Sequence, residues 1–362
     1  MRKTNSDIVL IPLKGMEPFA EKVKDYMSEI APELECRIIS VDIPRFATGD
    51  AKAVLQSSVR GKEVFVLVDV GNYECEFKLF DKKSYMSPDD HFQDLVRTIS
   101  AIGGKAERVN VVSPLLYAAR QDRRFARESL DCAVALQHLE SIGVANIMAF
   151  DVHDDRVMNA TPFMGFDKLM PTYQIIKTLR KTFPDITYDE NHLAVVSPDF
   201  GGISRNYIFA NELNIDMGVF YKRRSTSKFK NGNFEVELHK YIGPELDGKD
   251  VLVVDDIIAS GDTILDTAEK IKQYGAKRVF LAVTFGFFTN GIEKFTKAYT
   301  DGIIDAVLIT NATYRRPELF DCEWYKEVDI IKYTAYYIFC VSTGESIAAI
   351  IDSHQRIQSL FE

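Results

Sequence analysis

The sequence holds one tryptophan, five cysteines and 12 prolines in 362 residues, and it has no surplus of positive charge. The cysteines, Cys36, Cys75, Cys132, Cys322 and Cys340, are odd in number and far apart, with no Cys-x-x-Cys pair. That spacing excludes a disulfide scaffold and a cysteine-built zinc site, and a reduced, cytoplasmic chain is expected. No apolar run approaches the roughly 18 residues that span a bilayer, and the opening MRKTNSDIVLIPLKG has no apolar core of signal-peptide length. Neither membrane insertion nor export is therefore expected. Forty-four Lys and Arg stand against 53 Asp and Glu, a net charge of −9, which argues against sequence-blind binding to nucleic acid. Any phosphate held by this chain must sit in a local positive pocket.

What is present is ordinary globular composition, 46% hydrophobic and 27% charged. A chain of this length predicts two cores of about 150–200 residues each. Short β-branched runs at 8–12, 64–68, 109–112, 147–151, 193–197, 251–254, 279–284 and 306–310 alternate with amphipathic stretches. That alternation predicts an α/β protein with mostly parallel central sheets flanked by helices. The second half repeats the plan of the first, so two sheets are expected, with residues 1–165 and 166–362 as the two domains. Residues 221–233, reading YKRRSTSKFKNGN, combine basic and small polar side chains without an apolar period and predict a mobile basic loop.

Five clusters could carry chemistry. In VLVVDDIIASGDT, an apolar strand ends at Asp255 and Asp256 and is followed by the small-residue turn Ala259-Ser260-Gly261-Asp262-Thr263. Successive backbone N–H groups at a helix opening form an anion nest, to which Ser260 and Thr263 add hydroxyls. The adjacent carboxylates suit vicinal sugar hydroxyls or a divalent metal. A sugar phosphate satisfies both halves, whereas an Asp-Asp turn with a plain helix cap is the structural alternative. In Ser197-Pro198-Asp199-Phe200-Gly201-Gly202, the glycines let a ligand approach the backbone, or simply form a strand-to-helix turn. Four arginines occupy eight positions from Arg120 to Arg127, suited to phosphate and purine or else a solvated face. His153 lies among carboxylates and could reach a metal or make a structural hydrogen bond. Lys222-Arg223-Arg224 could stabilise charge on a transferring phosphoryl group.

In this order the clusters resemble those of the ribose-phosphate pyrophosphokinases, through nearly the whole chain. Arg45-Phe46-Ala47-Thr48-Gly49-Asp50, Ser58-Val59-Arg60-Gly61, Tyr117 to Arg123, His153, Ser197 to Gly202, Lys222 to Arg224, Asp255 to Thr263 and Gly344-Glu345-Ser346 are each similar to a family segment. The resemblance implies two phosphoribosyltransferase-like domains. It also implies transfer of the β,γ-diphosphate of Mg-ATP to the C1 hydroxyl of ribose 5-phosphate, giving AMP and phosphoribosyl pyrophosphate. By position it gives Phe46, Asp50, Arg120 and Gln121 to the nucleotide, and His153 and Asp199 to the magnesium-bound triphosphate. Lys222 and Arg224 fall to the transferring group, Asp255 and Asp256 to the ribose hydroxyls, and Ala259, Ser260, Gly261, Asp262 and Thr263 to the 5-phosphate. Mg2+ as cofactor and assembly into dimers or hexamers are implied in the same way.

The chain departs from the family pattern at Thr48, at Asp50, at Ala259 and at Asp262, where a carboxylate enters the phosphate loop; Phe285 replaces a frequent His, and residues 72–88 form an insert with no assigned role. A carboxylate about 4 Å from a phosphate costs roughly 1–4 kcal/mol unless it is offset. The alternatives are a non-catalytic regulatory homologue and, further off, a phosphoribosyltransferase.

Overall fold

The computed structural model describes residues 7–124, 126–230 and 233–362, with the side chains of 222–239 outside that description. The chain divides into two compact units. The first takes residues up to Met170 together with Asn311–Tyr314 and Asp329–Asp352, and the second takes Pro171–Thr310, Arg315–Val328 and Ser353–Glu362.

The first unit is built on a parallel sheet in the order Gly165–Leu169, Asn146–Phe150, Arg108–Val112, Glu63–Leu67, Ile8–Pro12, Cys36–Ile38. Ile8–Pro12 and Glu63–Leu67 are buried at every position, as expected of strands covered by helices on both faces. The helix Pro88–Ile102 shows how local chemistry sets such a cover. Pro88 opens it, Ser87 and Asp90 close a reciprocal capping box, and left-handed Gly103 ends it. Gly165–Leu169 pairs with Asn146–Phe150 along its whole length, so the first sheet continues past 165 and the chain leaves it at Met170.

The late helix Ile331–Thr343 belongs to the first unit. Its Tyr337 hydroxyl donates to Asp167 Oδ2 at 3.0 Å, its Val341 carbonyl accepts from Arg108 at 2.7 Å, and the Tyr333 ring lies 5.7 Å from that of Phe150. These side chains come from strands near the middle of the chain, and this is why residues 166–362 do not form one body.

The second unit holds a seven-stranded sheet in the order Asn233–Ile242, Met217–Lys230, Leu193–Ser197, Asp250–Ile258, Arg278–Gly286, Ala306–Thr310, Tyr325–Val328. All described pairs are parallel except the first. The expected loop over 221–233 is corrected here: through Lys230 its backbone continues one strand, and from Asn233 a second strand returns antiparallel to Ile242. The reason lies in residues 234–238, Phe-Glu-Val-Glu-Leu, whose period of two is that of a strand. The insert at 72–88 contains a small hairpin, Glu76–Leu79 with Lys82–Tyr85, turning through Phe80 and Asp81, both at positive φ.

Candidate functional site

In the second unit the central strand Asp250–Ile258 runs four residues beyond the expected Val254, still paired through Ile258 with Gly286 of the next strand. On its other side, pairing with Leu193–Ser197 stops at Val253. Asn206, fully buried on the helix Ile203–Leu213, takes over at that point. Its Oδ1 accepts the Val254 N–H at 3.2 Å and its Nδ2 donates to the Val254 carbonyl at 2.9 Å. A side chain thus replaces a strand, and the sheet edge opens directly before Asp255 and Asp256.

The two carboxylates are held by local and tertiary contacts. Asp255 Oδ1 accepts the Asp256 N–H at 3.0 Å, and Asp256 Oδ1 accepts the Ile257 N–H at 2.9 Å. Arg205, only 9% exposed, lies 3.6 Å from Asp255 and 3.5 Å from Asp256. Burial and the neighbouring Asp256 push the Asp255 carboxyl up to about 7, with Arg205 opposing the rise. The pair therefore carries less than two negative charges near neutrality, a state suited to exchanging hydrogen bonds with sugar hydroxyls.

The turn that follows leads into the helix Asp262–Gln273, capped by Gly261 at φ +84. A Cβ at Gly261 would stand 2.4 Å from the Phe295 ring, so this position requires glycine both for its conformation and for its contact. Residues 287–295 brace the turn from beneath. Phe287 N–H donates to Ile258 O at 2.8 Å, Thr289 N–H donates to Ala259 O at 2.9 Å, and Phe295 is fully buried. The first N–H groups of the helix have no intrahelical acceptor and are available to an anion. Asp262 is exposed and paired: Ser260 Oγ donates to its Oδ2 at 2.9 Å, and Lys294 forms a close ion pair with its Oδ1. Those two donors hold its carboxyl below the ordinary range. Ser260 is half-buried and Thr263 exposed.

Asp199 sits in the turn after Leu193–Ser197. Its Oδ1 accepts the Gly201 and Gly202 N–H groups at 2.9 and 3.2 Å. Two backbone donors on one oxygen fix the carboxylate, and a hard carboxylate oxygen fits Mg2+, which binds through one or two carboxylates plus substrate phosphates. Among the described residues no group of three His, Cys, Asp or Glu forms a cage for a metal. Lys222 and Arg224 lie on the strand Met217–Lys230, in register with His239 and Val236; their side chains lie outside the described residues.

In the first unit, Arg45 makes two hydrogen bonds to Asp94, at 2.9 and 2.8 Å, with both side chains buried. This pair anchors a tight turn in which Phe46 N–H donates to Asp50 O at 2.7 Å and Thr48 Oγ1 donates to Asp50 Oδ2 at 3.0 Å. The Phe46 ring is 50% exposed, with Lys52 5.8 Å from its centre, available to stack on a base. Arg120 is exposed, whereas Gln121 Nε2 donates to Ser129 O at 2.8 Å. His153 is exposed beyond the strand Asn146–Phe150, two residues after Asp151, which has φ +41. Of the metal-directed pair, His153 belongs to the first unit and Asp199 to the second. Arg205 lay within a motif visible in the sequence, but its contact with both acids did not; Asn206, Lys294 and Phe295 carried no sequence signal at all.

Residues 10–143 match the family model for the N-terminal domain of ribose phosphate pyrophosphokinase, and residues 170–312 match that of the phosphoribosyl transferase domain. A ribose-phosphate pyrophosphokinase of Mycoplasma pneumoniae is 26% identical over 341 residues, covering 92% of this chain and 94% of that protein. One from Vibrio vulnificus is 28% identical over 352 residues, covering 94% of this chain and 100% of that protein. The crystal structure of a phosphoribosylpyrophosphate synthetase from Mycobacterium smegmatis superposes with a TM-score of 0.75 at 19% identity, over 93% of this chain and 99% of that one; this likeness is one of fold. Among the described residues no helix is long and apolar enough to cross a membrane.

Proposed function

Because the chain belongs to the ribose-phosphate pyrophosphokinase family, we propose that it transfers the β,γ-diphosphate of Mg-ATP to the C1 hydroxyl of ribose 5-phosphate, releasing AMP and phosphoribosyl pyrophosphate. The observation that carries this reading is the end of the central strand in the second unit. There Asp255 and Asp256 are fixed at an opened sheet edge and followed at once by a glycine-capped helix start. Carboxylates for vicinal hydroxyls and N–H groups for a phosphate, in that order along one strand and turn, fit a pentose phosphate.

The catalytic work is positioning and electrostatics, since diphosphoryl transfer needs the attacking hydroxyl in line with the leaving oxygen. Asp255 and Asp256 would orient the ribose through its hydroxyls. Ala259, Ser260, Gly261, Asp262 and Thr263 would hold the 5-phosphate through backbone N–H groups and the Ser260 and Thr263 hydroxyls. In the first unit Phe46 and Arg120 would hold the adenine, with Asp50 and Gln121 completing the nucleotide contacts. His153 and Asp199 would position the magnesium-bound triphosphate. A bound Mg2+ supplies charge neutralisation on the phosphates. Lys222 and Arg224 would offset charge on the transferring group. The same reading carries assembly into dimers or hexamers, checked by mass measurement in solution.

The reading of a non-catalytic homologue rested on Ala259 and Asp262. Lys294 offsets the second of these, which favours the enzyme. Incubation of the chain with Mg-ATP should release AMP only when ribose 5-phosphate is added. AMP release that ignores the sugar, or none at all, would contradict the proposal.

A further inference from the structure

The phosphate turn of this chain contains a carboxylate, Asp262, at the first position of its helix. An acid there is favourable to the helix itself, because it faces the positive end of the dipole. For a ligand it is adverse, since a carboxylate within about 4 Å of a dianionic phosphate weakens binding by about tenfold or more. Lys294 resolves this conflict. It is the second residue of the helix Glu293–Thr300, its side chain is about half exposed, and its ammonium pairs with Asp262 Oδ1. Its backbone is held beside the turn, because its neighbour Phe295 is buried against Gly261 and the Phe287 and Thr289 N–H groups donate to Ile258 O and Ala259 O.

Resting on the proposed sugar-phosphate site, we propose that Lys294 is a binding residue for the 5-phosphate, its ammonium bridging Asp262 and a phosphate oxygen, so that Asp262 and Lys294 act on affinity as one unit. An ammonium has three donors and can serve both oxygens at once. Without Lys294 the turn presents an uncompensated negative charge to the anion. Without both residues it returns to a neutral turn whose N–H groups suffice.

The test is calorimetric titration of ribose 5-phosphate into the full-length protein and its Lys294→Ala, Lys294→Arg, Asp262→Ser and Asp262→Ser/Lys294→Ala variants. Lys294→Ala should weaken binding about tenfold or more, Lys294→Arg should hold near the wild-type affinity, and the double variant should regain most of the loss. In Lys294→Ala the KM for ribose 5-phosphate should rise about tenfold or more while the KM for Mg-ATP stays near that of the wild type, a split that a general structural defect would not produce. Because Lys294 is on the surface, its removal should leave the melting temperature in place. Wild-type affinity in Lys294→Ala, or a double variant no tighter than Lys294→Ala, overturns the role of Lys294 alone. A wild-type protein that does not bind ribose 5-phosphate overturns both this inference and the reading on which it rests.

Discussion

Asn206 pairs with Val254 as a neighbouring strand would, accepting its N–H at 3.2 Å and donating to its carbonyl at 2.9 Å, while its Nδ2 also donates to Gly202 O at 2.9 Å. One amide thereby ends the sheet on one side, ties down the Gly201-Gly202 turn and fixes the strand one residue before Asp255. Replacing Asn206 with Ala leaves buried backbone groups of Val254 without partners, a cost of about 1–3 kcal/mol. The melting temperature should fall by several degrees, as measured by calorimetry. An unchanged midpoint would mean that water or a neighbour satisfies the strand equally well.

Burial and the neighbouring Asp256 push the Asp255 carboxyl up from the ordinary 3.8 to about 7. The folded state therefore binds the proton more tightly than the unfolded state. Stability from this group is complete below about pH 4 and is lost as pH rises toward 7. Asp255→Asn, which cannot ionise, should melt at a temperature that depends less on pH over that window than the wild type does. Parallel curves for the two proteins would refute the elevated value.

Gly261 combines a left-handed backbone with a Phe295 ring that would lie 2.4 Å from an added Cβ. Gly261→Ala costs roughly 1–2 kcal/mol for the backbone alone, and relief of the clash must move either the turn or Phe295. Ribose 5-phosphate binding should weaken by an order of magnitude or more, a loss read by titration. Full binding by this variant would show that the turn is not where the anion rests.

Arg45 and Asp94 are both nearly buried and paired, and Asp94 Oδ1 also accepts from Arg97 at 2.8 Å. Asp94→Ala strands a guanidinium under the turn that carries Phe46, at a cost of about 3–5 kcal/mol. We expect a lowered unfolding midpoint in denaturant and a raised KM for ATP, with KM for ribose 5-phosphate little changed. Equal shifts in both constants would argue against a nucleotide role for this turn.

The elements that could be read from the sequence were those whose signal is local. Leu193–Ser197 and Ala306–Thr310 are short apolar runs, and Asp255 and Asp256 follow such a run directly. The antiparallel return from Asn233 to Ile242 is hard to read from the sequence because the basic residues before it predict a loop. The attachment of Ile331–Thr343 to the first unit depends on Arg108 and Asp167, far away in sequence, and no periodicity encodes it. The same holds for Lys294, which meets Asp262 across 32 residues. Asp262 read alone is an adverse charge in the proposed phosphate turn; with Lys294 it is half of a charge pair.

The route of the β-phosphorus tests the proposed reaction most directly. ATP labelled at that atom and incubated with the protein, Mg2+ and ribose 5-phosphate should deliver its label to phosphoribosyl pyrophosphate, with unlabelled AMP formed in equal amount. Label remaining on the nucleotide as ADP would show transfer of a single phosphoryl group and would contradict the diphosphokinase reading.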